Sequence, residues 1–224
     1  MKRGERSDQY EAASSERDSE RGSSILELMT TVLLIGVVMA AVMAGTFSAQ
    51  DAITGSDLRL QNLDQARTLM ASLTKDVRTA VRLSAGSSPF TVADANHAVF
   101  YANISTTSAP KKVDLSIDGQ SRLVETVWTA DAGTTAPNYT YTGASTVRLV
   151  GRYVANTAAK PMFTYLDSNG NALTATPLSA TDLLAVKAVQ IQLIVKKTTA
   201  AQLNATSLVN RVRLANLDYN AVAG

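Results

Sequence analysis

Cysteine is absent from the 224 residues, histidine occurs once, and Lys, Arg, Asp and Glu together make up only 18% of the chain. Without cysteine there is no disulfide, no thiolate metal ligand and no cysteine nucleophile, and the redox compartment cannot be read from the composition. The lone His97, in "DANHAVFYANI", stands in no recognised catalytic arrangement with serine or a carboxylate, so it reads as an ordinary strand or loop residue. The formal net charge is +2, and the pairs Lys111-Lys112 and Lys196-Lys197 are isolated. That leaves DNA or an anionic surface unsupported as a partner. There is no nucleotide-binding loop and no internal repeat, and no enzyme or cofactor is expected. The stretch "DSNGN", residues 167–171, has its glycine one place too early for a calcium loop and lacks the distal glutamate, so a hairpin turn is expected there and no metal site.

What the chain does have is concentrated near its start. Residues 1–22, "MKRGERSDQYEAASSERDSERG", mix five basic residues with six carboxylates and show no apolar periodicity, which predicts an unfolded leader. From residue 25 to residue 47 the only ionisable side chain is Glu27, and the run is about the 20 residues needed to cross a hydrocarbon layer as a helix. A secretory signal has a shorter apolar region and a cleavage site after it. All five early Lys and Arg precede the run, which places the amino end in the cytoplasm and the carboxyl-terminal part outside.

Beyond the run, Leu63, Ala66, Met70, Leu73, Val77 and Ala80 recur at alternating spacings of three and four, an amphipathic helical stripe. Gly45 and Gly55 weaken the junction by about 1 kcal/mol each, but no proline intervenes before Pro89, so the pattern predicts one helix from about Ser24 to Leu83. "SAGSSP" then ends it and the period changes to two. Val113, Leu115 and Ile117 alternate with polar neighbours before Asp118 and Gly119, and "QSRLVETVW" returns as a hairpin. A second hairpin is predicted in "MFTYLDSNGNALT", with Asn169 and Gly170 at its reversal. With "TVRLVGRYV", "VKAVQIQLIVK" and "SLVNRVRLANL" this makes about six or seven strands. No helical patterns intervene, so the fold class predicted is α+β: a long N-terminal helix packed on an antiparallel sheet.

The segment "RGSSILELMTTVLLIGVV" resembles the class III signal of type IV pilins and type II secretion pseudopilins: a polar leader ending in glycine, then an apolar helix with glutamate at its fifth position. Counted from Ser23, Glu27 is the fifth residue. The resemblance implies four segments: a cleaved cytoplasmic leader (1–22), a transmembrane and assembly helix (23–48), its amphipathic continuation (49–83) and an extracytoplasmic β-rich, pilin-like domain (84–224). It implies a prepilin peptidase cutting between Gly22 and Ser23, methylation of the new terminus, and assembly with other pilins by a platform protein and a cytoplasmic ATPase. Ser23 departs from the phenylalanine usual at that place. The length and the late "VKAVQIQLIV" are most similar to larger minor subunits of the J type. Localisation would be the cytoplasmic membrane, then a cell-surface or periplasmic filament.

On physical grounds an unpaired carboxylate inside lipid is costly, and a terminal amine one helical turn away on a neighbouring subunit would compensate it, so Glu27 reads as an assembly ruler. Gly36, Ala40 and Ala44 form an i, i+4, i+8 seam of small residues for helix packing, or else face lipid. The competing reading is a single-pass tether whose β-domain binds a ligand outside the cell without polymerising. Arg148 with Arg152, and Arg211 with Arg213, lie at alternate strand positions, a spacing that predicts solvated sheet faces. Trp128 reads as partly buried core at a hairpin end.

Overall fold

The computed structural model describes residues 5–104, 109–197 and 205–215, with side chains from residue 25 onward. The chain divides into two compact units, Met1–Gly55 and Ser56–Gly224. One helix, α1 (Glu5–Arg78), runs through the boundary, so the two glycines flanking residues 46–54 do not stop it.

Both ends of α1 differ from the sequence expectation. The helix starts at Glu5, where an unfolded leader was predicted; Glu, Arg, Gln and Ala are good helix formers and no proline breaks the segment. It ends at Arg78 instead of Leu83 because the chain there joins a strand. Ala80 bridges Ala102, the Val81 amide donates to the Tyr101 carbonyl (2.8 Å), and the Asn103 amide donates to the Thr79 carbonyl (2.9 Å). The Thr79 hydroxyl donates to the Asp76 carbonyl at the helix end (2.8 Å), which also accepts the Thr79 amide (3.2 Å).

The second unit is α+β, and its strands form two antiparallel sheets where the sequence suggested one. The first sheet is a five-stranded meander in chain order: β1 (Phe90–Ala93), β2 (His97–Ala102), β3 (Lys111–Ile117), β4 (Leu123–Trp128) and β5 (Ser145–Gly151). The second has β6 (Phe163–Leu166), β7 (Ala188–Val195) and β8 (Thr206–Arg213), with β7 in the middle. A short helix, α2 (Ala180–Ala185), precedes β7 and was not anticipated; Ser179 caps it by accepting the Asp182 amide.

The β3–β4 hairpin forms as read, with Val113 opposite Val127 and Ile117 opposite Leu123. Its turn is longer than a two-residue one. The Asp118 carboxylate accepts the amides of Gln120 and Arg122 (both 2.9 Å) and pairs with Arg122 Nε (2.6 Å). The second predicted hairpin is only half right. Residues 167–171 do reverse the chain, but the return is a single bridge, Leu166 to Ala172, and β6 pairs with β7 instead. Polar and small residues in "NALTATP" give the returning arm little to bury, whereas "VQIQLIV" offers a full apolar face.

The core is continuous across the two sheets. Phe90 of the first packs tilted against Phe100 and edge-on to Tyr165 of the second, 5.5 Å from each ring. Ala66, Leu69, Met70, Leu73, Val77 and Ala80 supply the helical side of the core, so the stripe read from the sequence is the buried face, with Leu69 added and Leu63 only half buried. Gly151 lets the helix approach: a methyl group placed on it would collide with Leu69.

Candidate functional site

In residues 25–47 every side chain is exposed, from Ile25 (62%) to Phe47 (60%). This is the one helix among the described residues that is long and apolar enough to cross a membrane. Its polar side chains are handled in two ways. Thr30, Thr31 and Thr46 each donate their hydroxyl to a carbonyl three or four residues back, at 2.8–2.9 Å, so they need nothing from the surroundings. Glu27 differs. Its carboxylate has no hydrogen bond or ion pair among the described residues, while its carbonyl serves Thr30. Gly22 and Ser23 lie within α1, and their side chains are outside the described set. Gly36, Ala40 and Ala44 are exposed, and a methyl group on Gly36 would meet nothing within 4 Å.

A second cluster, missed in the sequence, sits in the Ser56–Gly224 unit. Asp76 on α1 and Glu125 on β4 are buried, 6% and 3% exposed, and Arg148 on β5 reaches both. Arg148 Nε donates to Glu125 Oε2 at 2.6 Å, its Nη2 donates to Ser72 Oγ at 3.4 Å, and Nη2 stands 4.0 Å from Asp76 Oδ2. Two carboxylates therefore share one guanidinium, and Asp76 Oδ2 has no hydrogen bond. Burial, and then the neighbouring Glu125 charge, push the Asp76 carboxyl up to about 6. The cluster opens on a cleft of about 380 Å³ that Lys75, Lys111 and Thr146 also line. Pattern alone carried a signal here. Asp76 sits on the buried stripe beside Val77, and Glu125 occupies an inward position between Leu123 and Val127, both places where an apolar residue is the rule.

The remaining singled-out residues fall in different environments. His97 opens β2 and its Nε2 lies 3.1 Å from Asp114 Oδ1 on β3, a cross-strand pair that chain order did not reveal. Trp128 ends β4 half-buried with Lys112 Nζ 5.2 Å from its ring, on the face of the sheet away from Leu123 and Glu125, so it is not core. Arg148 and Arg152 are both exposed, as expected, but they do not share a face of one strand. β5 stops at Gly151, Arg148 turns to Glu125, and Arg152 offers its carbonyl to Gln65 Nε2 (2.7 Å). Arg211 and Arg213 do share one exposed face of β8. The Asp167 carboxylate accepts the amides of Asn169 and Asn171, both at 2.8 Å, as a turn residue does. The loop after β4 is organised by Asp131, whose carboxylate accepts from Thr140 Oγ1 (2.6 Å), Thr142 and Gly143, which draws it down to about 2.

Comparison with protein-family models, with curated proteins and with solved structures finds no match to this chain.

Proposed function

We propose that the chain is a minor structural subunit of a type IV pilus or type II secretion-like pseudopilus, held in the membrane by residues 23–48 and polymerised through that helix. The observation that supports this reading best is the contrast within the apolar run. Its threonines are satisfied inside their own helix, and among the described residues the Glu27 carboxylate has no partner. An unpaired carboxylate costs about 2.5–3.5 kcal/mol at the centre of a bilayer and less toward its edge, so a partner outside the helix is called for.

Prepilin peptidase would cut between Gly22 and Ser23 and create that partner. An α-amine has an ordinary pKa near 8, so the new terminus is mostly protonated at neutral pH and lies about one turn from Glu27. Paired with a neighbouring subunit offset along the axis, the two charges set register while the exposed apolar faces supply the contact area. The role is structural, not catalytic. Work comes from the assembly ATPase and platform protein, and the helix moves from lipid into a bundle of like helices without crossing water.

The test is the mass of the protein recovered from membranes and from sheared filaments. Mature protein should begin at Ser23, Gly22→Ala should keep the leader, and Glu27→Ala should be cut normally yet fall by about tenfold in filaments, the equivalent of about 1.4 kcal/mol in subunit affinity. A chain that still begins at Met1 would leave a plain tether, and normal recovery of the Glu27→Ala variant would remove the ruler role.

A further inference from the structure

The outer face of the second sheet carries a group of cations that form no ion pair among the described residues. Arg211 and Arg213 alternate along β8, opposite Gln190 and Ala188 of β7, and both are exposed. Lys187, immediately before β7, completes a cleft of about 530 Å³ that Ser168 and Asp167 of the β6 turn also line. Among the described residues none of the three cations makes an ion pair or a side-chain hydrogen bond. Elsewhere in the same unit exposed or half-buried basic groups do find acceptors: Arg122 on Asp118 and Arg148 on Glu125.

The one carboxylate in the cleft is already committed. Asp167 Oδ1 accepts two backbone amides and Oδ2 accepts from Asn171 Nδ2 (3.2 Å), bonds that hold its carboxyl below the ordinary range. The turn also makes room. Gly170 has φ +86, and a methyl group on it would come within 2.6 Å of Arg211 Nη2, so the guanidinium lies over a glycine that a larger residue would displace. Two guanidinium groups, an ammonium and the Ser168 hydroxyl all offer hydrogens, and the one carboxylate in the cleft directs its hydrogen bonds at its own turn. Planar guanidinium forks match phosphate oxygens two at a time. Residues two apart on a strand stand about 7 Å apart, so Arg211 and Arg213 together span more than a single phosphate.

We propose that this cleft is a binding site for a multivalent phosphate-type oxyanion, with Arg211 and Arg213 as its forks and Lys187 as its third charge. The site is independent of filament assembly and stands or falls by itself.

The test is calorimetric titration of the full chain in neutral detergent with pyrophosphate, and separately with orthophosphate, at about 0.1 M salt, where charges beyond about 10 Å are screened. Saturable pyrophosphate binding is expected, with orthophosphate about tenfold weaker. The double substitution Arg211→Gln with Arg213→Gln should weaken pyrophosphate at least tenfold, and Lys187→Gln by a smaller factor. Removing two helix arginines instead, Arg59→Gln with Arg67→Gln, should leave binding within about twofold while lowering net charge equally. Circular dichroism checks that each variant keeps its fold. Absence of saturable binding to the unsubstituted chain, or an equal loss in the helix variant, overturns the site. Equal affinity for the two phosphates overturns its multivalent character.

Discussion

Leu33 and Val37 are 66% and 60% exposed, whereas Leu69, Leu73 and Val77, further along the same helix, are 1% exposed or less. The charges are reversed as well. In residues 25–47 one glutamate stands amid apolar side chains, and in the second unit two buried carboxylates meet a guanidinium that is itself about half exposed. One helical sequence thus serves two media. Where its apolar face meets two sheets it becomes the wall of a domain, and where every face is apolar it is fit for lipid or for other helices. A lone charge in an apolar run is costly unless its surroundings supply a partner, and under the proposed function that is the role of Glu27. A buried charge in the domain has to be answered within the same chain.

That comparison breaks most sharply by truncating one leucine in each region. Leu73→Ala should cost about 2–5 kcal/mol in equilibrium urea unfolding of the second unit, and Leu33→Ala should change the same measurement by less than about 0.5 kcal/mol. Equal effects would mean that residues 25–47 contribute to the fold of the domain.

Next in size is removal of the shared cation. Arg148→Met leaves Glu125 and Asp76 buried without it and should cost about 3 kcal/mol at pH 7.5. The loss should be smaller at pH 5, where Asp76 is mostly protonated and adds no second charge.

The smallest effect has the opposite sign. Because the folded-state carboxyl of Asp76 is raised from 3.8 to about 6, the folded chain binds its proton more tightly than the unfolded chain. This contribution favours the fold below the unfolded value and is lost as pH climbs from about 4 through about 6. Above that, ionised Asp76 costs up to about 3 kcal/mol. Asp76→Asn should therefore stabilise the domain by about 2 kcal/mol at pH 7.5 and gain little at pH 4. Urea midpoints measured across that range check it, and a gain independent of pH would place the effect in packing instead of charge.

Local periodicity made much of the architecture legible. The spacing of Ala66, Met70, Leu73 and Val77 marks a helix face because neighbours three and four apart share a side, and the alternation of Val113, Leu115 and Ile117 marks a strand for the equivalent reason. What misled was also local. Val154 extends the apolar alternation past Gly151, yet it lies beyond β5 and bridges Val195 of the other sheet. The phrase "MFTYLDSNGNALT" looks like a self-contained hairpin, but β7, more than twenty residues later, competes for Phe163–Leu166 and wins with a better apolar face. The Asp76, Glu125 and Arg148 cluster had a readable trace, charged residues on inward positions, but which acid meets which base depends on strand order.

By itself, then, the order of residues determined the amphipathic stripe of α1, the β3–β4 hairpin, the length of the apolar run and that Glu27 is the one ionisable residue in it, because each of these is set by neighbours within a few positions. Only the tertiary structure decided that the strands divide into two sheets, that Arg148 serves two acids and that Arg211, Arg213 and Lys187 surround one cleft. Those pairings join residues tens of positions apart, and their energies arise only when burial and register bring the groups within a few ångströms.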